Sequence, residues 1–235
     1  MSSLIIRDLN KIYTVDSKPL QVLHNLNLQA DCRKITVILG QSGCGKTTLL
    51  RLISGLETPT SGTIEFSEPT KLGMVFQEAR LMPWLTTSEN IILGCTEKPS
   101  PKMLSELIAT VGLSGFENAY PSALSGGMQQ RVALARALIL KSKLLLMDEP
   151  FAALDYFTRL NMQQELLRIQ RSAATGIVLV THNIDEALIL ADKICILQAG
   201  SIIKTLDLPP NKQRDILTAA FIQHKRTILT ALQIN

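Results

Sequence analysis

The densest group of chemically capable residues is Gly40-Gln41-Ser42-Gly43-Cys44-Gly45-Lys46-Thr47-Thr48. An apolar run, Ile35-Thr36-Val37-Ile38-Leu39, leads into it, and a helical pattern, Leu49-Leu50-Arg51-Leu52-Ile53, leads out. Strand, Gly-rich loop and helix in that order are what a phosphate-binding loop requires. The glycines let the backbone turn tightly and aim several N–H groups inward. The helix N-terminus adds partial positive charge at the same point. Lys46 is placed to reach the β- and γ-phosphates, and the Thr47 hydroxyl to ligate Mg²⁺. Every fixed position of G-x-x-x-x-G-K-[S/T] is filled in this context, which separates it from an ordinary Gly-rich turn. The sequence therefore predicts a nucleoside triphosphate ligand.

Further groups stand at the ends of apolar runs, where ligand-binding residues gather in open α/β sheets. Leu72-Gly73-Met74-Val75-Phe76 delivers Gln77. Lys143-Leu144-Leu145-Leu146-Met147 delivers Asp148 and Glu149, and its continuous apolarity marks a strand covered on both faces. Asp148 suits water-mediated Mg²⁺ coordination, and Glu149 suits the general base that polarises an attacking water. Gly176-Ile177-Val178-Leu179-Val180-Thr181 delivers His182, positioned for a γ-phosphate contact. Ser125-Gly126-Gly127 precedes a helical pattern, with Ser125 as N-cap; taken singly it reads either as an ordinary helix start after a loop or as a second anion cradle by the same helix-terminus physics. Tyr13 offers a flat face to an adenine ring.

The elements that position these groups follow from periodicity. Residues 4–9 and 21–29 read as an antiparallel pair around a turn at Asp16-Ser17-Lys18-Pro19, and 34–39 as the strand into the loop. Residues 46–54 read as a helix stopped by Gly55, 58–62 as a turn, and 63–66 and 72–76 as strands. From Trp84 to about Leu140 the character turns helical, with segments at 103–111 and 127–140. A helix over 156–171 follows, a helix starts at Asp185, residues 195–203 form a hairpin turning at Ala199-Gly200, and a helical segment closes the tail.

With 235 residues the chain holds one large domain or a domain with a subdomain. A net charge of +4 is too mild for a nucleic-acid binder. The mean hydropathy of +0.19 points to a partner surface, yet no apolar run approaches the about 18–20 residues of a membrane span. The N-terminal residues lack a signal-peptide pattern, so a cytoplasmic chain is expected. Cys32, Cys44, Cys95 and Cys195 show no metal-ligand spacing and predict reduced thiols. Cys44, beside a helix N-terminus of the kind that lowers a thiol pKa, reads as a tolerated variable position of the loop, where alkylation is expected to block nucleotide binding.

The order of these motifs, with Leu124-Ser125-Gly126-Gly127-Met128, Leu146-Met147-Asp148-Glu149-Pro150 and Ala153-Leu154-Asp155, closely resembles the nucleotide-binding subunit of ABC transporters over essentially the whole chain. The Ser-Gly-Gly signature discriminates it from other phosphate-loop proteins, small-molecule kinases included. The resemblance implies a P-loop NTPase (RecA-like) core of class α/β, with an antiparallel β subdomain and an inserted helical subdomain. It implies a core over 1–84 and 141–206, a helical subdomain over 85–140 and a helical tail over 207–235. It further implies that Tyr13 stacks on adenine, Gly40 to Thr48 is the Walker A loop, Gln77 senses Mg²⁺ and the attacking water, and Asp148 is the Walker B aspartate. Glu149 is then the catalytic carboxylate, His182 the switch histidine and Asp155 the D-loop aspartate. The cofactors implied are ATP and Mg²⁺. The partners implied are a second copy in a head-to-tail ATP sandwich, transmembrane permease subunits and, indirectly, a solute-binding protein. The location implied is the cytoplasmic face of the cell membrane, peripherally.

Met74-Val75-Phe76-Gln77-Glu78-Ala79-Arg80-Leu81-Met82-Pro83-Trp84 is similar to the nitrate/sulfonate/taurine importer ATPases, as is Phe151-Ala152-Ala153-Leu154-Asp155 with Thr158-Arg159. The expected role is to energise uptake of a small anion. Another cargo, such as a thiamine-precursor pyrimidine, and a soluble ATPase acting on ribosomes or chromosomes stand as alternatives. Three positions depart from the family pattern: Asp31-Cys32-Arg33-Lys34 where a Gly-Glu pair is usual, Asn183 after the switch histidine, and Met128 in the signature.

Overall fold

Apolar alternation builds the first strands, and unbroken apolar runs build the buried ones. The computed structural model describes residues 2–173, 175–209 and 216–233. In chain order they form β1 (Ser3–Val15), β2 (Lys18–Asp31), β3 (Ile35–Leu39), α1 (Lys46–Ile53), β4 (Ser61–Phe66), β5 (Leu72–Val75), α2 (Thr87–Ile92), α3 (Pro101–Thr110), α4 (Gly126–Ile139), β6 (Leu144–Asp148), α5 (Tyr156–Ala173), β7 (Gly176–Thr181), α6 (Ile184–Leu190), β8 (Lys193–Gln198), β9 (Ser201–Asp207) and α7 (Ala219–Ala231). The expected Pro209-Pro210 opening of the tail is described only as far as Pro209.

The contacts divide the chain into two units, one of residues up to 70 and from 176 onward, the other of residues 71–175. In the first unit, β3 runs parallel to β7 on one side and β8 on the other, and β9 returns antiparallel to β8. Every residue of β3 and β7 is buried, which is why neither alternates in sequence. A separate antiparallel sheet has the order β2-β1-β4. It is longer than the sequence suggests. The turn between β1 and β2 is only Asp16-Ser17, both at positive φ (48° and 62°), as a two-residue hairpin of primed type requires. Register shifts between Ile6 and Ile12 break the alternation and hide the strand's length. The hairpin sheet is tied to the turn of β8–β9, where the His24 amide donates to the Gly200 carbonyl at 2.9 Å.

The unusual turn Asp31–Lys34 closes without glycine. The Asp31 carboxylate accepts from the Arg33 amide at 2.9 Å, and its carbonyl accepts from the Lys34 amide at 3.1 Å.

The second unit pairs β5 with β6 in parallel and surrounds α4 with α2, α3 and β5. The helix α2 has no predicted counterpart. Its start is a capping box: the Thr86 hydroxyl accepts from the Glu89 amide at 3.3 Å and the Glu89 carboxylate accepts from the Thr86 amide at 2.7 Å.

Candidate functional site: a phosphate cradle and its supporting turns

In the first unit, β3 ends at Leu39 and the Gly40 amide donates to the carbonyl of Thr181, the last residue of β7, at 3.2 Å. That bond brings the start of the phosphate loop beside the residue that precedes His182. A Cβ on Gly40 would lie 2.4 Å from the Leu197 carbonyl oxygen, so no other residue fits. Gly45, at φ 103°, caps α1 in a conformation open to glycine, with the Leu23 side chain 2.8 Å from where a Cβ would stand. Lys46 is 5% exposed. Its ammonium donates to the Gly40 and Gln41 carbonyls at 2.8 and 2.9 Å, so it spans the loop that it serves. Gln41, Ser42 and Gly43 are exposed along the rim, and Thr47 and Thr48 are half-buried on the first turn of α1.

At Cys44 burial outweighs the helix terminus. Burial pushes its thiol pKa up, outweighing the neighbouring Lys46 charge and the backbone N–H groups that lower it. The desolvation of a thiolate in this tight loop exceeds what the helix terminus returns.

His182 follows β7 directly and is exposed. Asn183 then caps α6, its side-chain oxygen accepting from the Asp185 and Glu186 amides at 3.0 and 3.1 Å. Asn thus does what Asp would do at this position, since both carry the same acceptor geometry. Tyr13 lies on β1, half-buried, and its hydroxyl donates to the Glu57 carboxylate.

In the second unit, Asp148 is the last residue of β6 and is 4% exposed. Glu149 follows at φ 45°, left-handed backbone that a non-glycine residue adopts at a cost. Its carbonyl accepts from the Ala152 amide at 3.2 Å, closing the turn that turns the chain sharply at the strand tip. Asp155 accepts from the Thr158 amide at 3.1 Å, and its bonds to Thr158 hold its carboxyl below the usual range.

Ser125 is the N-cap of α4, accepting from the Met128 amide at 3.3 Å. No atom lies within 4 Å of where a Cβ on Gly126 would point. Gln77 is exposed just past β5. The turn that carries it is pinned from α4: Gln130 donates to the Phe76 carbonyl at 3.2 Å, and Arg136 to the Ala79 and Arg80 carbonyls at 2.8 and 3.0 Å. The Arg80 guanidinium stacks 4.1 Å from the Phe76 ring centre. Sequence reasoning missed Gln130, Arg136 and Glu57. Their signal was only a polar residue on a helix or turn otherwise apolar, which does not say which distant carbonyl or hydroxyl it meets.

The family profile of ABC transporters matches residues 23–152. The chain belongs to the ABC transporter family. It is 44% identical over 218 residues to an aliphatic sulfonates import ATP-binding protein of Pseudomonas syringae pv. tomato, covering 91% of this chain and 94% of that one. It is 40% identical over 234 residues to the protein of the same description from Bacillus thuringiensis, covering 95% and 93%. An uncharacterised ABC transporter ATP-binding protein of Methanocaldococcus jannaschii is 41% identical over 243 residues, covering 98% and 91%. Among solved structures, the ATP-binding cassette MJ0796, dimeric in a post-hydrolysis state with ADP and Pi, superposes with a TM-score of 0.80 at 30% identity, covering 88% of this chain and all of that one. The fold is that of these cassettes: a P-loop NTPase core with an antiparallel β subdomain and an inserted helical region.

The ABC fold implies Mg²⁺ with the nucleotide. The chemistry of the donor set fits it: the Thr47 hydroxyl of the first unit and the buried Asp148 carboxylate of the second are each hard oxygen donors. Among the described residues no group of three or more His, Cys, Asp or Glu forms a cage, and Mg²⁺ on a nucleotide takes few protein ligands and keeps phosphates and waters.

Proposed function

We propose that this chain is the ATP-hydrolysing subunit of an ABC importer that energises uptake of a small organic anion, of the aliphatic sulfonate kind, through a separate permease. The observation that carries the ATPase reading is the preformed cradle Gly40–Thr48, with Lys46 spanning it at 2.8 and 2.9 Å from two of its carbonyls. The cargo class rests on the named function of the relatives at 40–44% identity.

In this reading the Walker A amides and Lys46 hold the phosphates, and Tyr13 stacks on the base. Thr47 and, through water, Asp148 would hold Mg²⁺, which would supply positive charge against the phosphates. Glu149 orients and deprotonates the attacking water, Gln77 and His182 contact the water and γ-phosphate, and the departing phosphate leaves along their side. Residues 85–140 form the helical subdomain. Ser125-Gly126-Gly127 serves a second copy's nucleotide, which accounts for a capped helix terminus whose leading glycine faces open space. The head-to-tail homodimer closes on ATP and reopens after hydrolysis, a two-state switch driven by ligand affinity.

Permease docking is assigned to the loop after Gln77. Trp84 there is 70% exposed, while Asn90, fully buried, holds the loop by accepting from the Met82 amide and donating to the Met82, Leu85 and Thr86 carbonyls. A rigid loop presenting a large exposed aromatic is how a binding anchor is built. No helix among the described residues is long and apolar enough to cross a membrane, so attachment is through that permease. The test is a pull-down of the tagged subunit from detergent-solubilised membranes of its own cells, followed by ATPase assay of the complex with alkanesulfonate, nitrate or pyrimidine and its solute-binding protein. Co-purification of a multi-span permease and stimulation by alkanesulfonate are expected. Recovery of ribosomal or chromosomal partners overturns the transporter reading, and stimulation by another solute alone overturns the cargo.

A further inference from the structure

Glu57 follows α1 in sequence, in the turn before β4, and nothing in the chemistry above uses it. It is nevertheless the centre of a polar cluster within the first unit. Its carboxylate accepts from the Tyr13 hydroxyl. It pairs with Lys11 at 3.5 Å and with Arg51, in the last turn of α1, at 3.4 Å. Only 21% of its side chain is exposed, against 14% for Lys11. Lys11 also donates to the Thr58 carbonyl at 2.8 Å, and its ammonium stands 4.8 Å from the centre of the Tyr13 ring.

The consequences are geometric. A tyrosine ring has two torsions, and a bonded hydroxyl fixes the second as well as the first. Lys11 lies over one face of the ring, 4.8 Å from its centre, and in the stacking reading the base takes the other. The last turn of α1, whose N-terminus carries the phosphate loop, is joined to the same phenol through Arg51 and Glu57. We infer that Glu57 is a positioning residue for the nucleotide base: through Tyr13 and Lys11 it fixes the aromatic platform in register with the phosphate cradle. This rests on the reading of Tyr13 as the adenine-stacking residue. Pre-organisation of this kind raises affinity by removing the cost of ordering the side chain on binding.

The experiment compares ATP with inorganic tripolyphosphate, which has the phosphates and no base, by calorimetry in the presence of Mg²⁺. Glu57→Ala and Tyr13→Phe are expected to weaken ATP about three- to tenfold, as loss of one or two such bonds does, with tripolyphosphate unchanged. Unchanged tripolyphosphate binding also shows that each variant is folded. Glu57→Gln keeps an acceptor for the phenol and is expected to fall between wild type and Glu57→Ala. In a Tyr13→Ala background, Glu57→Ala is expected to add nothing, because its effect passes through the ring. Equal loss of ATP and tripolyphosphate, or a full additional loss in the Tyr13→Ala background, overturns the inference while leaving the stacking role intact. A Tyr13→Ala variant with the wild-type preference for ATP over tripolyphosphate removes the stacking role itself, and Glu57's with it.

Discussion

Glu149 stands in left-handed backbone at φ 45°, which a non-glycine residue seldom adopts. Strain of about 1–3 kcal/mol persists where surrounding structure imposes it, and such residues gather at functional sites. Here the fully buried β6 and the turn closed by the Ala152 amide impose it. Glu149→Gln keeps shape and is expected to bind ATP as wild type while turnover falls at least about 10²-fold, as loss of a general base does; phosphate release under saturating ATP checks this. Normal turnover in that variant would remove the assignment. Lys46→Ala removes a charged donor and is expected to weaken ATP about 10–100-fold by calorimetry. Glu57 carries a pH signature. The Tyr13 bond, together with Arg51 and Lys11, holds its carboxyl below the usual range, against a smaller opposing effect of burial. A depressed carboxylate pKa contributes stability that is fully present above the unfolded value of about 4.3 and lost as pH falls through the folded one. The stability gap between wild type and Glu57→Gln in urea melts should therefore be constant near neutral pH and shrink on acidification below about pH 4–5. A gap that widens on acidification would contradict the pairing.

At the scale of elements, α4 does two jobs. Its N-terminus presents Ser125 and Gly126 outward, and its body pins the Gln77-bearing turn through Gln130 and Arg136. One rigid helix thus links the signature end to the turn where Gln77 stands. Arg136→Ala leaves two carbonyls without their donor and is expected to lower stability by about 1.5–3 kcal/mol while ATP still binds; thermal melts with and without ATP check it. The loop of Trp84 depends in the same way on Asn90, whose side chain makes four hydrogen bonds while fully buried. Removing such a group from a buried site strands every partner at once.

At the scale of the whole molecule, the proposed function has a second copy complete the cassette. Beyond its own helix, nothing lies within 4 Å of where a Cβ on Gly126 would stand, and the exposed N–H groups of a helix N-terminus favour an anion. Ser125→Arg fills that space with a bulky cation and is expected to leave monomer ATP binding within about twofold while abolishing the ATP-dependent dimer, whose anion contact is the charged hydrogen bond lost. Size-exclusion chromatography in the Glu149→Gln background, where ATP persists, reads the outcome. A dimer that still forms would place Ser125 outside the interface.

The sequence by itself determined what is local. The phosphate loop was legible because its strand, glycines, lysine and helix are contiguous, and each residue's role follows from the backbone it sits on. Ser125 was legible as a cap, and Asp148, Glu149 and His182 as strand-tip residues, because an unbroken apolar run ends where a buried strand must end. The helix α2 was also written locally, in Thr86 and Glu89, and went unread because six residues show too little periodicity. Tertiary structure alone decided the rest. The β1–β2 hairpin reaches Val15 and Lys18 because bulges absorb its broken alternation, and only pairing shows a bulge. Cys44 is pushed up because the loop closes over it, and desolvation depends on what packs around a thiol rather than on its neighbours in sequence. Glu57 meets Tyr13 across 44 residues, and Arg136 meets Ala79 across 57. A polar side chain's type fixes what it can donate or accept; its partner is fixed only when the chain has folded.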